Sequence, residues 1–110
     1  MRRSHTAVIE RNTTHDGSFA TEPYECAWAG EARWFIRVLD VKGGALLKAN
    51  VQVSPDGLFW CDEGSTFPDI DEQGLYSLPA RDFGGWLRLN CAISGAKPAV
   101  KLMIYLVLKE

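Results

Sequence analysis

The sequence predicts an all-β fold: an antiparallel β-sandwich, jelly-roll-like, forming one domain over residues 1–110. Three observations carry that expectation. Apolar residues recur at every second position in one segment after another. Turn residues rich in Gly, Pro and Asp punctuate those segments. No stretch of about a dozen residues keeps an apolar stripe at helical spacing without a Gly or Pro breaking it. At 110 residues the chain has the size of one domain, able to bury roughly 65% of its unfolded surface. The spacing of the segments gives about eight or nine strands.

The first strand is expected over His5–Glu10, followed by a polar loop from Arg11 to Gly17. A second strand should include Phe19 and Thr21, and a third should run Tyr24–Trp28. Ala29-Gly30-Glu31 turns the chain into a strong strand over Ala32–Val41. Its Trp34, Ile36 and Val38 share one face, and Arg33, Phe35, Arg37 and Leu39 share the other. The second face is mixed, which places the strand centrally. Gly43-Gly44 is a flexible connection. Leu47–Val53 then alternates cleanly, with Leu47, Ala49, Val51 and Val53 inward.

Ser54-Pro55-Asp56-Gly57 is a well-specified turn, since proline presets φ at its second position and glycine accepts a left-handed fourth. Leu58–Asp62 should return from it as the second arm of a hairpin. Glu63–Gly74 reads as a polar, acidic loop. Leu75–Leu78 is a short strand stopped by Pro79, and Asp82–Gly85 is a turn. Trp86–Ile93 is strong, with Leu87, Leu89, Cys91 and Ile93 inward. Ser94–Pro98 should make a second hairpin into the last strand, Pro98–Leu108.

That last strand is apolar on both sides. Val100, Leu102, Ile104, Leu106 and Leu108 form one face. The other reads Lys101, Met103, Tyr105, Val107, Lys109, an apolar centre between two lysines. Either a second sheet of the same chain or another subunit must cover it. Its composition fits a subunit contact, because Met, Tyr and Arg are typical of interfaces. Met103, Tyr105 and Val107, supported by Phe35 and Arg37, are therefore the expected interface of a homo-oligomer, a trimer or a larger assembly.

Other chemistry is sparse. Cys26, Cys61 and Cys91 lie far apart in strand-like contexts and read as small buried hydrophobes, with a disulfide between two of them left open. The histidines, His5 and His15, are both N-terminal, and nothing pairs them with a cysteine for catalysis or metal binding. Asp69, Asp71 and Glu72 form either a solvated acidic loop or a calcium loop. A glycosidase pair would need rigid elements across a cleft, which a loop does not offer. The aromatics allow a second use, a carbohydrate platform at Trp28, Trp86 and Tyr76. No cofactor is implied.

The net charge of −2, with cations spread along the chain, argues against nucleic acid. Met1-Arg2-Arg3-Ser4-His5 has no apolar run behind it, so a cytoplasmic chain without a secretory signal is expected. The longest apolar run, Leu102–Leu108, is too short to span a bilayer.

The second half resembles a group of small all-β proteins of tailed phages and bacterial genomes. The resemblance rests on V-Q-V-S-P-D-G-L-F-W at Val51–Trp60, G-G-W-L-R-L-N at Gly84–Asn90, and the segment Ile93–Lys109. Arg88, Ser94, Gly95 and Pro98 match the group's spacing, and the match covers about Leu46–Lys109. The N-terminal third is more aromatic than the group's pattern. The resemblance implies a head-decoration, fibre or tail-associated role, incorporation into a virion, and no catalytic residues. The expectation is a non-enzymatic, self-associating structural protein, with carbohydrate binding as the alternative.

Overall fold

A computed structural model describes residues Arg3–Glu110. Among these the strands are β1 (Ser4–His15), β2 (Phe19–Ala20), β3 (Tyr24–Glu25), β4 (Glu31–Lys42), β5 (Leu46–Ser54), β6 (Cys61–Thr66), β7 (Gly74–Ala80), β8 (Trp86–Ser94) and β9 (Ala99–Lys109). They form two antiparallel sheets. Sheet A has the order β1-β9-β4-β7, and sheet B has β2-β8-β5-β6 with β3 also on β8. Early strands pair with late ones: β1 with β9, β2 and β3 with β8, β4 with β7, and β5 with β6. The chain is thus one long hairpin rolled upon itself, which is jelly-roll wrapping. Ser54–Trp60 lies at the tip of that hairpin.

Alternation decides what lies between the sheets. β9 sends Val100, Leu102, Ile104, Leu106 and Leu108 inward, and all five are buried. β4 adds Trp34, Ile36 and Val38, facing Leu47, Ala49 and Val51 of β5 and Leu87, Leu89, Cys91 and Ile93 of β8. Burying each large aliphatic stabilises the fold by about 1.5–3 kcal/mol.

Several expected boundaries move, for local reasons. β1 does not stop at Glu10. It continues along β9 to His15 with register shifts after Val8 and after Glu10, helped by Asn12 at φ +49°. The third strand shrinks to two residues. β7 runs through Pro79 because β7 is an edge strand, where a missing N–H breaks no ladder. Ser94–Pro98 is not a hairpin: β8 belongs to sheet B and β9 to sheet A, so this link crosses between sheets. The acidic segment is not a free loop either. Cys61–Thr66 is β6, and beyond it Phe67 and Ile70 plug the core, with paired backbone hydrogen bonds between Ile70 and Leu47.

The β4–β5 and β8–β9 crossings lie one on the other. Gly43 and Gly44 both take left-handed φ, +67° and +64°. A Cβ on Gly43 would overlap the Lys97 carbonyl, whereas one on Gly44 would meet open space. Gly44→Ala should therefore lose only the left-handed penalty, roughly 1–2 kcal/mol. Gly43→Ala should lose clearly more in urea unfolding. Equal losses would show that the two crossings do not press together.

Candidate functional site

The outer face of sheet A brings the expected interface residues together. Cross-strand register aligns Val8 of β1, Tyr105 of β9, Phe35 of β4 and Ser77 of β7 in one row. A second row holds Thr6, Val107, Arg33 and Pro79, and a third holds Met103, Arg37 and Leu75. Phe35, Met103, Tyr105 and Val107 are half-buried, and Val8 and Leu75 are 41% and 64% exposed. The sheets meet by their inner faces, so a second sheet of the same chain does not cover this face among the described residues.

Polar groups frame the apolar centre. The Tyr105 hydroxyl donates to Met103 Sδ at 3.3 Å, and Arg33 Nη1 donates to Ser77 Oγ at 3.0 Å. Arg33, Arg37, Lys101 and Lys109 surround the patch, and no described carboxylate forms an ion pair with them. At the end of the face near Glu31 and Ala80 a depression of about 670 Å³ opens. Phe35, Val107 and Pro79 line it together with the cations Arg33, Arg81 and Lys109 and the acids Glu31 and Asp82.

The same end carries the hairpin tip, on the other side of the sandwich. Ser54 Oγ accepts from the Asp56 and Gly57 N–H groups at 3.2 and 2.8 Å and donates to Asp56 Oδ1 at 3.0 Å. Asp56 Oδ1 also accepts from the Leu58 and Phe59 N–H groups at 2.9 and 3.1 Å. These bonds hold the Asp56 carboxyl below its ordinary value, the Leu58 amide contributing most and Phe59 next. They also explain why the return strand starts at Cys61 and not at Leu58: the carboxylate occupies amides that a ladder would need. The turn lies over sheet B, with Gly57 against the Trp86 ring and the Arg88 guanidinium 4.3 Å from the Trp60 ring centroid. Leu58 and Phe59 are each 76% exposed, a feature that the expected strand over Leu58–Asp62 hides.

The middle of sheet B's outer face is polar and cross-linked. Arg88 Nε donates to Gln52 Oε1 at 2.8 Å, and Asn50 Nδ2 and Gln52 Nε2 donate to Asp62 Oδ1 at 2.9 and 3.2 Å. Trp28, Trp86 and Tyr76 do not assemble into one platform. Trp28 packs on the core with the Arg3 guanidinium 4.5 Å from its ring, and Trp86 lies under Gly57. Tyr76 is on the other sheet, its hydroxyl donating to the Glu72 carbonyl at 2.9 Å.

Asp69, Asp71 and Glu72 do not form the calcium loop. Among the described residues no three His, Cys, Asp or Glu side chains converge on one point. Burial of Ile70 between them turns Asp69 toward Lys48, at 3.9 Å. The cysteines are free, but Cys61 is exposed, contrary to its expected burial. Burial pushes the Cys26 and Cys91 thiols up to about 12, which leaves little thiolate for nucleophilic chemistry.

No family model matches the chain, and no curated protein matches it in sequence. Solved structures match in fold. A chain of infectious bursal disease virus, Gt strain, superposes over 98% of this chain with a TM-score of 0.61 and 10% identity. This chain spans about a third of that one, 32% of its length. The SPBc2 prophage-derived protein YomS matches over 100% of this chain and 96% of its own, with a TM-score of 0.56 and 2% identity. The CBM36-1 domain of a multidomain xylanase from the hindgut metagenome of Trinervitermes trinervoides matches over 96% of each chain, at a TM-score of 0.50 and 7% identity. Viral, prophage and carbohydrate-binding proteins thus share this fold, and at such identities the likeness extends to the fold alone.

Two measurements follow from the site. Asp56 has a depressed value in the folded chain, so its contribution is full above the ordinary aspartate value of 3.8 and is lost as pH falls through the lower folded value. The Leu58 and Phe59 amides should keep slow hydrogen exchange down to that value and lose it below; Asp56→Ala should lose it at neutral pH. A thiol reagent under native conditions should label one cysteine quickly, and Cys61→Ser should abolish that labelling. Rapid labelling of Cys26 or Cys91 would contradict their burial.

Proposed function

We propose that this protein is a non-enzymatic structural unit that associates with copies of itself through the outer face of sheet A, as an assembly component of phage-like type. The observation that carries the reading is the contiguous apolar centre of Val8, Phe35, Met103, Tyr105 and Val107 on adjacent strands, rimmed by cations that form no ion pair among the described residues. Solvent-exposed strands of a monomer would place polar side chains there. The jelly-roll fold shared with a prophage-derived protein and a virus chain supports a role in assembly. So does the resemblance over Leu46–Lys109.

Size sets a condition on the contact. The four strand axes of sheet A span about 14 Å at about 4.8 Å per step, and three alternate residues along β9 span about 14 Å. That patch is a few hundred square ångströms, below the ~800 Å² per partner of a standard interface. Surface beside the patch must contribute as well, and the depression next to Phe35 and Val107 is the adjoining concavity.

Sedimentation or light scattering at micromolar concentration should show an oligomer. Tyr105→Glu and Phe35→Glu should each shift it to monomer while β-type circular dichroism is kept, because both side chains point out of the core. A wild-type chain that is monomeric throughout, or variants that stay fully assembled, would overturn the proposal.

A further inference from the structure

Two features at one end of the sandwich have no use within the chain. Leu58 and Phe59 project from the hairpin tip at 76% exposure each, although five hydrogen bonds from Ser54 and Asp56 hold that tip in one shape. Across the sandwich, on sheet A's side, the Phe35–Val107 depression is open. A fixed turn that displays two large apolar side chains is suited to insertion, since little conformational freedom is left to lose on binding.

Charge identifies the occupant. Three acids lie at the tip end of sheet B, Asp56 in the turn and Asp62 and Glu63 in β6, with Arg88 over the Trp60 ring as the neighbouring cation; Asp69, Asp71 and Glu72 lie toward the other end of β5, where Ile70 pairs with Leu47. Among the described residues none of the three tip acids forms an ion pair. The depression has the opposite balance, Arg33, Arg81 and Lys109 against Glu31 and Asp82, and Arg37 and Lys101 lie on the same face. A two-fold pairing of sheet A with itself would bring those cations of both copies together, which complementary recognition avoids. Contact between the acidic tip of one copy and the cationic depression of another matches charge with charge.

We propose that Leu58 and Phe59 of one copy seat in the Phe35–Val107 depression of the next, in a head-to-tail contact that repeats around a ring. The tip and the depression lie at the same end, near Gly84 and Ala80, on opposite sheets. Copies can therefore meet at one end, with the tip of sheet B of one against the depression end of sheet A of the next. A heterologous contact of this kind closes when its rotation divides a full turn. The inference rests on the self-association proposed above and specifies its second half.

Complementation tests it. Leu58→Ser with Phe59→Ser removes the tip's apolar side chains, and Arg33→Glu with Arg81→Glu reverses charge at the depression. All four residues are exposed, so circular dichroism should match the wild type. Each double variant alone should sediment as a monomer. Their equimolar mixture should form a one-to-one dimer, because it holds one intact tip and one intact depression. A tip variant that assembles like the wild type overturns the inference; if Tyr105→Glu still dissociates it, the self-association reading survives. A mixture that stays monomeric also overturns it, as does a wild-type monomer whose Leu58 and Phe59 bind neutral lipid vesicles instead. A wild type that never assembles overturns both readings.

Discussion

The insertion of β9 between β1 and β4 closes the rolled hairpin, and the rest of the sandwich depends on it. β1 and β9 lie about one hundred residues apart in sequence, and their register runs from Ser4 with Lys109 to His15 with Val100. Closing a loop of that length costs about 4 kcal/mol beyond the constant term. β9 offsets this by burying five aliphatic side chains, each contributing about 1.5–3 kcal/mol. The pairing must therefore be long and inwardly apolar, as β9 is. Pairing so remote in sequence forms slowly, with the local β5–β6 turn available early.

The strands that bury one full face were legible in the sequence. β4, β5, β8 and β9 show period-two alternation because each is flanked by neighbours and covered by the opposite sheet. What was hidden depends on partners that alternation does not encode. Thr13–His15 look like loop, yet β9 offers them a ladder past two bulges. Pro79 looks like a stop only if its strand has neighbours on both sides. Five residues at Ser94–Pro98 serve a hairpin or a crossing equally well; the close approach of Gly95 to the Gly43 and Gly44 carbonyls decides for crossing. The candidate interface was readable as the apolar outer centre of β9. The exposed tip was not, because Leu58-Phe59-Trp60 has the composition of a strand and only the bonding of Asp56 withholds it from one.

Strand addition is a poor route to association for this sandwich. In sheet A, the edge strand β7 contains Pro79, and the opposite edge β1 is irregular at two places. In sheet B, β2 and β3 are two residues long and β6 is interrupted in register against β5. Short, bulged or proline-bearing edges resist edge-to-edge pairing. The proposed contact uses side chains of the turn and the depression and leaves these edges unpaired.

The two outer faces then divide the work by their polar chemistry. On sheet B the Asn50, Gln52, Asp62 and Arg88 side chains satisfy one another in a network that remains open to solvent. Burying that network under an apolar partner would remove its water without supplying new bonds, a cost that grows with each group covered. Sheet A's outer centre gains from the same burial. The proposed contact therefore engages the depression end of sheet A and touches sheet B only at the exposed apolar tip, Leu58 and Phe59. A rim contact at one end leaves the polar middle of sheet B wet. This asymmetry between the faces, and not the sandwich common to many proteins, gives the proposed assembly its direction.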